Sequence, residues 1–142
     1  MKYLGIDYGI KRTGLAVTDP RGIMAFPRTT LRMKGKEAFF AELFAVIKAE
    51  DIEAVVIGLP LRSDGTDSET TRMVRNMAAR FRRRSPLPAY FMPETLSSHQ
   101  AEELLKEAGQ RGRGLWHKTD EAAAVLILES FLALPPERRI PA

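Results

Sequence analysis

Three acidic residues, Asp7, Glu94 and Asp120, lie at the ends of apolar segments of this sequence. Asp7 directly follows the apolar run 3–6, although strands disfavour aspartate. Asp120 opens a helical pattern on its apolar face, which is costly for a carboxylate unless it is paired or bound to a metal. If the first strand is central, the three carboxylates can converge at one end of a sheet. Such a cluster suits Mg²⁺ or Mn²⁺, and two ions about 4 Å apart can activate water for phosphoryl displacement.

Each of these acids also has a purely structural explanation. Aspartate is favoured at the start of a helix because it interacts with the free N–H groups and the helix dipole, so capping explains Asp120 as well as catalysis does. Glu94, considered alone, is explained by a position in a loop. Asp7 is the hardest to explain structurally, and the case for a catalytic site depends on the three acids together.

The hydrophobic pattern predicts the elements that would position these acids. Strands are predicted at 2–8, 14–18, within 22–31, at 54–58 and at 89–92. Helices are predicted at 36–49, after a capping box formed by Thr66 and Glu69, at 97–109 and at 120–133. This order indicates an α/β fold with a mixed five-stranded sheet, in which three antiparallel N-terminal strands are followed by two parallel ones. Residues 1–134 are expected to form one domain, and 135–142 a flexible tail.

The composition narrows the possible partners. The chain has 142 residues, a net charge of +4 and a pI of about 9.6, and 15 of its 22 basic residues are arginine, whose planar group suits phosphate. A polyanionic partner is therefore consistent with the sequence. The absence of cysteine excludes disulfides and thiolate metal sites and is typical of the cytosol. No apolar run is long enough to cross a membrane and the N-terminus lacks the features of a signal peptide, so we expect a cytoplasmic protein without a membrane partner.

Three motifs resemble those of the YqgF family of small RNase H-like nucleases. The matching residues are Gly5, Ile6, Asp7, Tyr8, Gly9, Arg12, Gly14 and Ala16, then Gly58, Leu59, Pro60, Leu61, Asp64, Gly65 and Thr66, and finally Asp120, Ala122, Ala123, Ile127 and Leu128. The resemblance implies an RNase H-like fold and a nuclease of pre-16S rRNA or of Holliday junctions, similar to RuvC-type resolvases. It also implies that Asp7, Glu94 and Asp120 form a metal-binding triad for Mg²⁺ or Mn²⁺.

The sequence departs from the family pattern near two of these acids. Pro93 and Thr95 replace the acid and the arginine that usually flank the glutamate, which would weaken the site if that arginine holds the glutamate or a phosphate. Glu121 stands where lysine is common. We interpret it as a solvated residue of the first helical turn rather than as an additional metal ligand.

Residues near the acids are candidates for substrate contact. In the first two motifs these are Gly9, Lys11, Arg12, Arg62, Asp64, Gly65 and Thr66, and in a basic loop at 110–118 they are Arg111, Arg113, Trp116 and Lys118. Basic groups around one aromatic ring suit a nucleic-acid strand, although a surface loop with the tryptophan packed on the core is an equally good interpretation. Gly9 and Gly14 are most simply explained by turns that need unusual backbone angles. The functional alternative is that a small residue beside Asp7 lets a phosphate backbone approach the metals. The six arginines between 72 and 84 indicate first a solvated basic face, and only second a nucleic-acid contact.

Three classes of function fit these observations. The leading hypothesis is a metal-dependent endonuclease in which Asp7 bridges two ions, while Glu94 and Asp120 each complete one. The second is a nucleic-acid-binding protein that has kept the fold and lost the chemistry, as the changes at Pro93 and Thr95 suggest. The third is an actin-like ATPase, although that fold needs two such domains and this chain has length for one. The sequence does not decide between a monomer and a homodimer.

Overall fold

The computed structural model describes residues 1–94 and 119–142. Its strands are β1 (Tyr3–Asp7), β2 (Arg12–Thr18), β3 (Ala25–Arg32), β4 (Ala54–Pro60), β5 (Ala89–Glu94) and β6 (Ile140–Pro141). Its helices are α1 (Lys36–Ala49), α2 (Glu69–Arg84) and α3 (Thr119–Leu132), with a short 3₁₀ turn at Pro136–Arg138. The helix predicted at 97–109 and the basic loop at 110–118 lie outside the described residues.

One mixed sheet organises the chain in the order β3-β2-β1-β4-β5-β6. β1 pairs antiparallel with β2 and parallel with β4, and β4 pairs parallel with β5. The predicted α/β class, the antiparallel N-terminal strands and the central position of β1 are therefore confirmed. The strand count differs from the predicted five because β6 pairs antiparallel with β5, matching Tyr90 with Pro141 and Phe91 with Ile140. β6 has only two residues among prolines and charged residues, so the sequence shows no hydrophobic pattern that would predict a strand there.

The helices cover both faces of the sheet. Leu4, Ile6 and Ile57 face α1 and α2 in the larger core. Tyr3 and Val56 point to the opposite face and pack with residues of α3. Because side chains alternate along a strand, Asp7 projects from the same face as Tyr3, toward α3. None of the helices in the described part of the chain is long and apolar enough to cross a membrane.

Three glycines bring α3 close to the sheet. A Cβ at Gly5 would lie 2.6 Å from Leu128 Cγ, and one at Gly14 would lie 2.9 Å from Asp120 Cβ and would overlap the Asp120 carbonyl. A Cβ at Gly58 would come within 3.0 Å of Ile127 Cγ1. The turn explanation of Gly14 is therefore wrong, because this residue lies within β2 and does not have a positive φ angle. Its small size is needed for the close approach of α3.

The start of α2 also differs from the prediction. Its N-cap is Ser68, whose side chain accepts a hydrogen bond from the Thr71 N–H, and the Thr71 hydroxyl accepts one from the Ser68 N–H. The capping box predicted from Thr66 and Glu69 is therefore wrong by two residues. Thr66 instead bonds to Asp64 in the preceding loop, where its N–H donates to the Asp64 carboxylate at 3.0 Å.

Candidate active site

The three acids singled out in the sequence lie on the α3 face, toward one edge of the sheet. Asp7 is the last residue of β1, and Glu94 is the last residue of β5 rather than part of the following loop. The two strands run in the same direction through β4, so their carboxyl ends share that edge. Asp120 lies in the first turn of α3, with its backbone against Gly14 of β2.

The electrostatics of Asp7 show that the acids interact. Burial, followed by the negative charges of Asp120 and Glu94, raises the pKa of Asp7 from 3.8 to about 7. Burial also raises the pKa of Glu94, while a hydrogen bond from the Ser130 side chain acts in the opposite direction. Asp7 is therefore the central member of the group, because the charges of both other acids raise its pKa.

The group does not form one compact set of three ligands. Among residues 1–94 and 119–142, no three acidic or histidine side chains lie close enough together to hold one ion. Glu94 bonds to Ser130, which lies near the opposite end of α3 from Asp120. The metal-binding role of Asp7, Glu94 and Asp120 therefore stays a prediction.

The donor chemistry nevertheless fits a hard divalent cation. All three side chains offer carboxylate oxygens, the ligands that Mg²⁺ and Mn²⁺ prefer. Two negative charges act on the partly buried carboxyl of Asp7, and a cation beside it would offset both the desolvation and the repulsion.

Arg12 forms an ion pair within this group. Its Nε lies 3.2 Å from Oδ2 of Asp120, and the side chains of the two residues are 62% and 31% exposed, respectively. The sequence predicts Arg12 as a phosphate contact but gives no indication of this pairing, because Asp120 is distant along the chain. The neighbouring candidates Gly9 and Lys11 lie in the β1–β2 connection, where the Lys11 carbonyl accepts a hydrogen bond from the Met33 N–H at 2.9 Å.

The loop after β4 lies beside Glu94. The Leu61 N–H donates a hydrogen bond to the Glu94 carbonyl at 3.1 Å. Asp64 accepts hydrogen bonds from both the hydroxyl and the N–H of Thr66, which lower the pKa of its carboxyl. Arg62 is exposed, and its N–H donates to the Thr66 carbonyl at 2.9 Å. Asp64 thus shapes the loop, while Arg62 is the cation that faces solvent there.

Gly65 closes the same loop. Its φ of 85° lies in the region that L side chains rarely adopt, and its N–H donates to the Arg62 carbonyl at 2.8 Å. The remaining candidates, Arg111, Arg113, Trp116 and Lys118, lie outside the described residues.

Glu121 is buried, which corrects its interpretation as a solvated residue. Only 7% of its surface is exposed, and its carboxylate accepts a hydrogen bond of 3.0 Å from the Thr30 hydroxyl. Thr30 is the cross-strand neighbour of Gly14. The contact therefore ties the first turn of α3 to β3, immediately beside Asp120. The sequence shows Glu121 directly before three alanines of an apolar helix, but it indicates neither the burial of this acid nor its partner on β3.

We expect Thr30→Val to lower the free energy of unfolding by roughly 1–3 kcal/mol, because the buried Glu121 carboxylate would lose its hydroxyl donor. Urea unfolding followed by circular dichroism measures the change. Thr29→Val is the matched control, since it removes a hydroxyl from the same strand without touching Glu121, and it should change stability by less than about 0.5 kcal/mol. Equal stability of the two variants would contradict a structural role for the Thr30–Glu121 hydrogen bond.

Some of the basic residues on α2 have structural partners. Arg75 forms two hydrogen bonds to Asp67, and Arg84 pairs with Glu37 at 3.1 Å. The Arg84 guanidinium also lies 4.4 Å from the centre of the Phe40 ring. These contacts favour the interpretation of the arginine run as a surface feature that also attaches α2 to its neighbours.

Comparison with known proteins gives consistent results. A family model described as RuvX, Holliday junction resolvase, matches residues 1–134. A protein of Nitratidesulfovibrio vulgaris named "Putative pre-16S rRNA nuclease" is 58% identical over 142 residues, which is all of both chains. Proteins with the same name from Oleidesulfovibrio alaskensis and Lawsonia intracellularis are 57% and 40% identical, and each comparison covers at least 98% of both chains.

Solved structures share the architecture at low sequence identity. Thermus thermophilus RuvC in complex with a Holliday junction substrate has a TM-score of 0.60 and 17% identity, covering 100% of this chain and 99% of that one. The Fowlpox virus resolvase in complex with Holliday junction DNA has a TM-score of 0.53 and 11% identity, covering 93% and 97%. These similarities confirm the RNase H-like fold.

Proposed function

The chain belongs to the RuvX family, also called YqgF, and from this premise we propose that it is a divalent-metal-dependent endonuclease that cleaves structured nucleic acid. Nuclease function agrees with the family and with the names of full-length relatives. The metal dependence is our proposal, and the observation that carries it is the partly buried carboxyl of Asp7, whose pKa is raised to about 7 beside two further acids.

The substrate we propose first is precursor 16S rRNA, because relatives with up to 58% identity over the whole chain bear that name. The description of the family favours a second candidate, the Holliday junction. Resolution of a junction requires two active sites, so a stable homodimer would favour that substrate, whereas a monomer would favour trimming of rRNA. Precursor rRNA as the substrate implies a cytoplasmic protein.

Asp7, Glu94 and Asp120 are the residues that would hold Mg²⁺ or Mn²⁺. Such ions, when bound, activate a water and stabilise the developing charge on the phosphate and on the leaving oxygen. The contribution of the chain is to hold Asp7 rigidly at the end of β1 and to restrict its access to water. No side-chain nucleophile is required by this chemistry.

We propose that cations on the surrounding loops offset the repulsion between the acids and the polyanionic substrate. Lys11 and Arg12 follow Asp7, and Arg62 lies in the loop that bonds to the backbone of Glu94. Arg111, Arg113, Trp116 and Lys118 would extend this surface from the segment that precedes Asp120. Gly9, Asp64, Gly65 and Thr66 would shape the loops that approach the phosphate backbone.

A cleavage assay tests the proposal and separates its alternatives. A labelled precursor 16S rRNA fragment and a four-way DNA junction are incubated with the protein in Mg²⁺, in Mn²⁺ or in EDTA. We expect cleavage of the rRNA fragment only with a divalent ion. Cleavage of the junction alone would make resolution the function. Binding of either substrate without cleavage under all conditions would support the nucleic-acid-binding alternative that Pro93 and Thr95 suggest.

A further inference from the structure

The position of Arg12 is set by the same packing that positions Asp120. Arg12 and Gly14 lie two residues apart on β2 and therefore project from the same face of the sheet. Gly14 receives the backbone of Asp120. The guanidinium of Arg12 consequently lies beside the Asp120 carboxylate, with Nε 3.2 Å from Oδ2. The two side chains are thus brought together by the strand register and by the packing of α3 on Gly14.

The pair has a particular place in the charge distribution. Asp120 is one of the two charges that raise the pKa of Asp7. Arg12 is the only cation that forms an ion pair with Asp7, Glu94 or Asp120 within residues 1–94 and 119–142. The guanidinium is a positively charged donor, so it and a metal ion repel each other when both lie against the Asp120 carboxylate.

We propose that Arg12 is a counter-ion that competes with the divalent cation for the carboxylate of Asp120. This inference rests on the metal site of the proposed function, and it adds that binding of the ion is coupled to release of Arg12 from Asp120. Binding of the ion displaces the guanidinium from Asp120, and the freed, already exposed group points into the solvent where a phosphate of the substrate would lie. Arg12 therefore acts through Asp120 as a positioning residue until the ion is bound.

The displacement requires little free energy, because Arg12 is exposed and Asp120 is partly exposed. Exposed ion pairs change an equilibrium by a factor of at most about five. We therefore expect Arg12→Ala to bind Mn²⁺ in the absence of nucleic acid up to about fivefold more tightly than the wild-type protein. A simple ligand-supporting role for Arg12 would produce the opposite change, because loss of the support would weaken binding of Mn²⁺.

The strand register supplies a matched control. Arg32 is the cross-strand neighbour of Arg12 on β3, is exposed, and forms no ion pair with the part of the chain that the structure describes. Arg32→Ala removes the same charge from nearly the same place without releasing Asp120. It should alter the affinity for Mn²⁺ by less than about twofold, because the charge of Arg32 acts on the ion only from a distance and is screened by salt.

The experiment titrates Mn²⁺ into wild-type protein, Arg12→Ala, Arg32→Ala and Asp120→Asn, and follows free Mn²⁺ by electron paramagnetic resonance. Arg12→Gln is measured as well, because it keeps most of the side-chain length if the alanine variant does not fold. In parallel, ¹⁵N NMR follows the Arg12 Nε–H signal, which is identified by its absence from Arg12→Ala. Addition of Mg²⁺ and the change Asp120→Asn should move this signal in the same direction.

The outcomes distinguish this inference from the proposed function. Tighter Mn²⁺ binding by the Arg12 variants, with Arg32→Ala close to wild type, supports the competition. Mn²⁺ binding that depends on Asp120 but is unchanged or weaker in the Arg12 variants would overturn the competition and leave the metal site in place. Equal lack of Mn²⁺ binding in the wild-type protein and in Asp120→Asn would overturn the metal site itself, and the competition with it.

Discussion

Replacing Asp7 with asparagine is expected to abolish cleavage while making the folded protein more stable above pH 7. Loss of this central carboxylate should reduce the rate by a factor of roughly 100 or more, the size of effect seen when one electrostatic stabiliser of a transition state is removed. Asparagine has nearly the same shape as aspartate and carries no charge. The fold therefore loses a buried, repelled carboxylate without losing packing.

The pH dependence of stability follows from the direction of the Asp7 shift. The folded state keeps the proton up to about pH 7, whereas the unfolded chain releases it near 3.8. Between these values the folded state binds more protons, so the free energy of unfolding falls as the pH rises. The loss at pH 8 is up to roughly 4 kcal/mol, and Asp7→Asn should recover most of it.

Urea unfolding in EDTA at pH 5 and pH 8 measures this effect, and the cleavage assay measures the loss of activity. Asp67→Asn is a suitable control, because Arg75 holds the pKa of Asp67 below its usual range. This exposed pair should contribute little, and its contribution should not change between pH 5 and pH 8, because the Asp67 carboxyl is ionised there in both the folded and the unfolded state. Wild-type cleavage by Asp7→Asn would remove Asp7 from the active site, and unchanged stability at pH 8 would contradict its buried, repelled environment.

Gly14→Ala is expected to have the largest effect on the fold. The new Cβ would overlap the carbonyl of Asp120 and lie 2.9 Å from its Cβ, so α3 would have to move away from β2. Overpacking of a core costs about 1–3 kcal/mol when side chains can adjust, and here part of the obstruction is backbone. We expect a loss at the upper end of this range or beyond, together with loss of cleavage.

Gly35→Ala separates overpacking from backbone strain. Its Cβ would meet nothing within 4 Å, but its φ of 116° is unfavourable for alanine. This variant should lose some stability and retain cleavage, because Gly35 precedes α1 and does not contact α3. A Gly14→Ala protein with wild-type stability and activity would show that α3 can shift without consequence for the site.

The sequence supports predictions best where a residue departs from the preference of its secondary structure. The aspartate after a buried run at Asp7 departs from strand propensity and predicts a functional position, which stays a prediction. The order of strands and helices along the chain was predicted from the hydrophobic pattern. The burial of Glu121 and the need for a residue without a side chain at Gly14 could not be predicted from the sequence. Both depend on α3 packing against strands that are distant along the chain, and no local pattern reports such a neighbour.

The same limit applies to Glu94. Its position at the end of β5 could be predicted to within two residues, but its hydrogen bond to Ser130 could not. The predicted capping box of α2 was wrong for a different reason. Ser68 and Thr66 are both good N-cap residues, and the position at which β4 ends determines which of them caps the helix. The Thr71 hydroxyl also donates a hydrogen bond to the carbonyl of Pro60, the last residue of β4, so the capping box at Ser68 is attached to the sheet.

The order of the elements along the chain also determines when the site becomes complete during synthesis. β1 is made first and carries Asp7, whereas Asp120 arrives with α3, after β1 to β5 and the first two helices. Because domains fold as units while the chain emerges, a partly translated molecule carries Asp7 but lacks the helix that supplies Asp120 and packs over β1. A nuclease proposed to act on ribosomal RNA would therefore acquire its complete site only near the end of its synthesis.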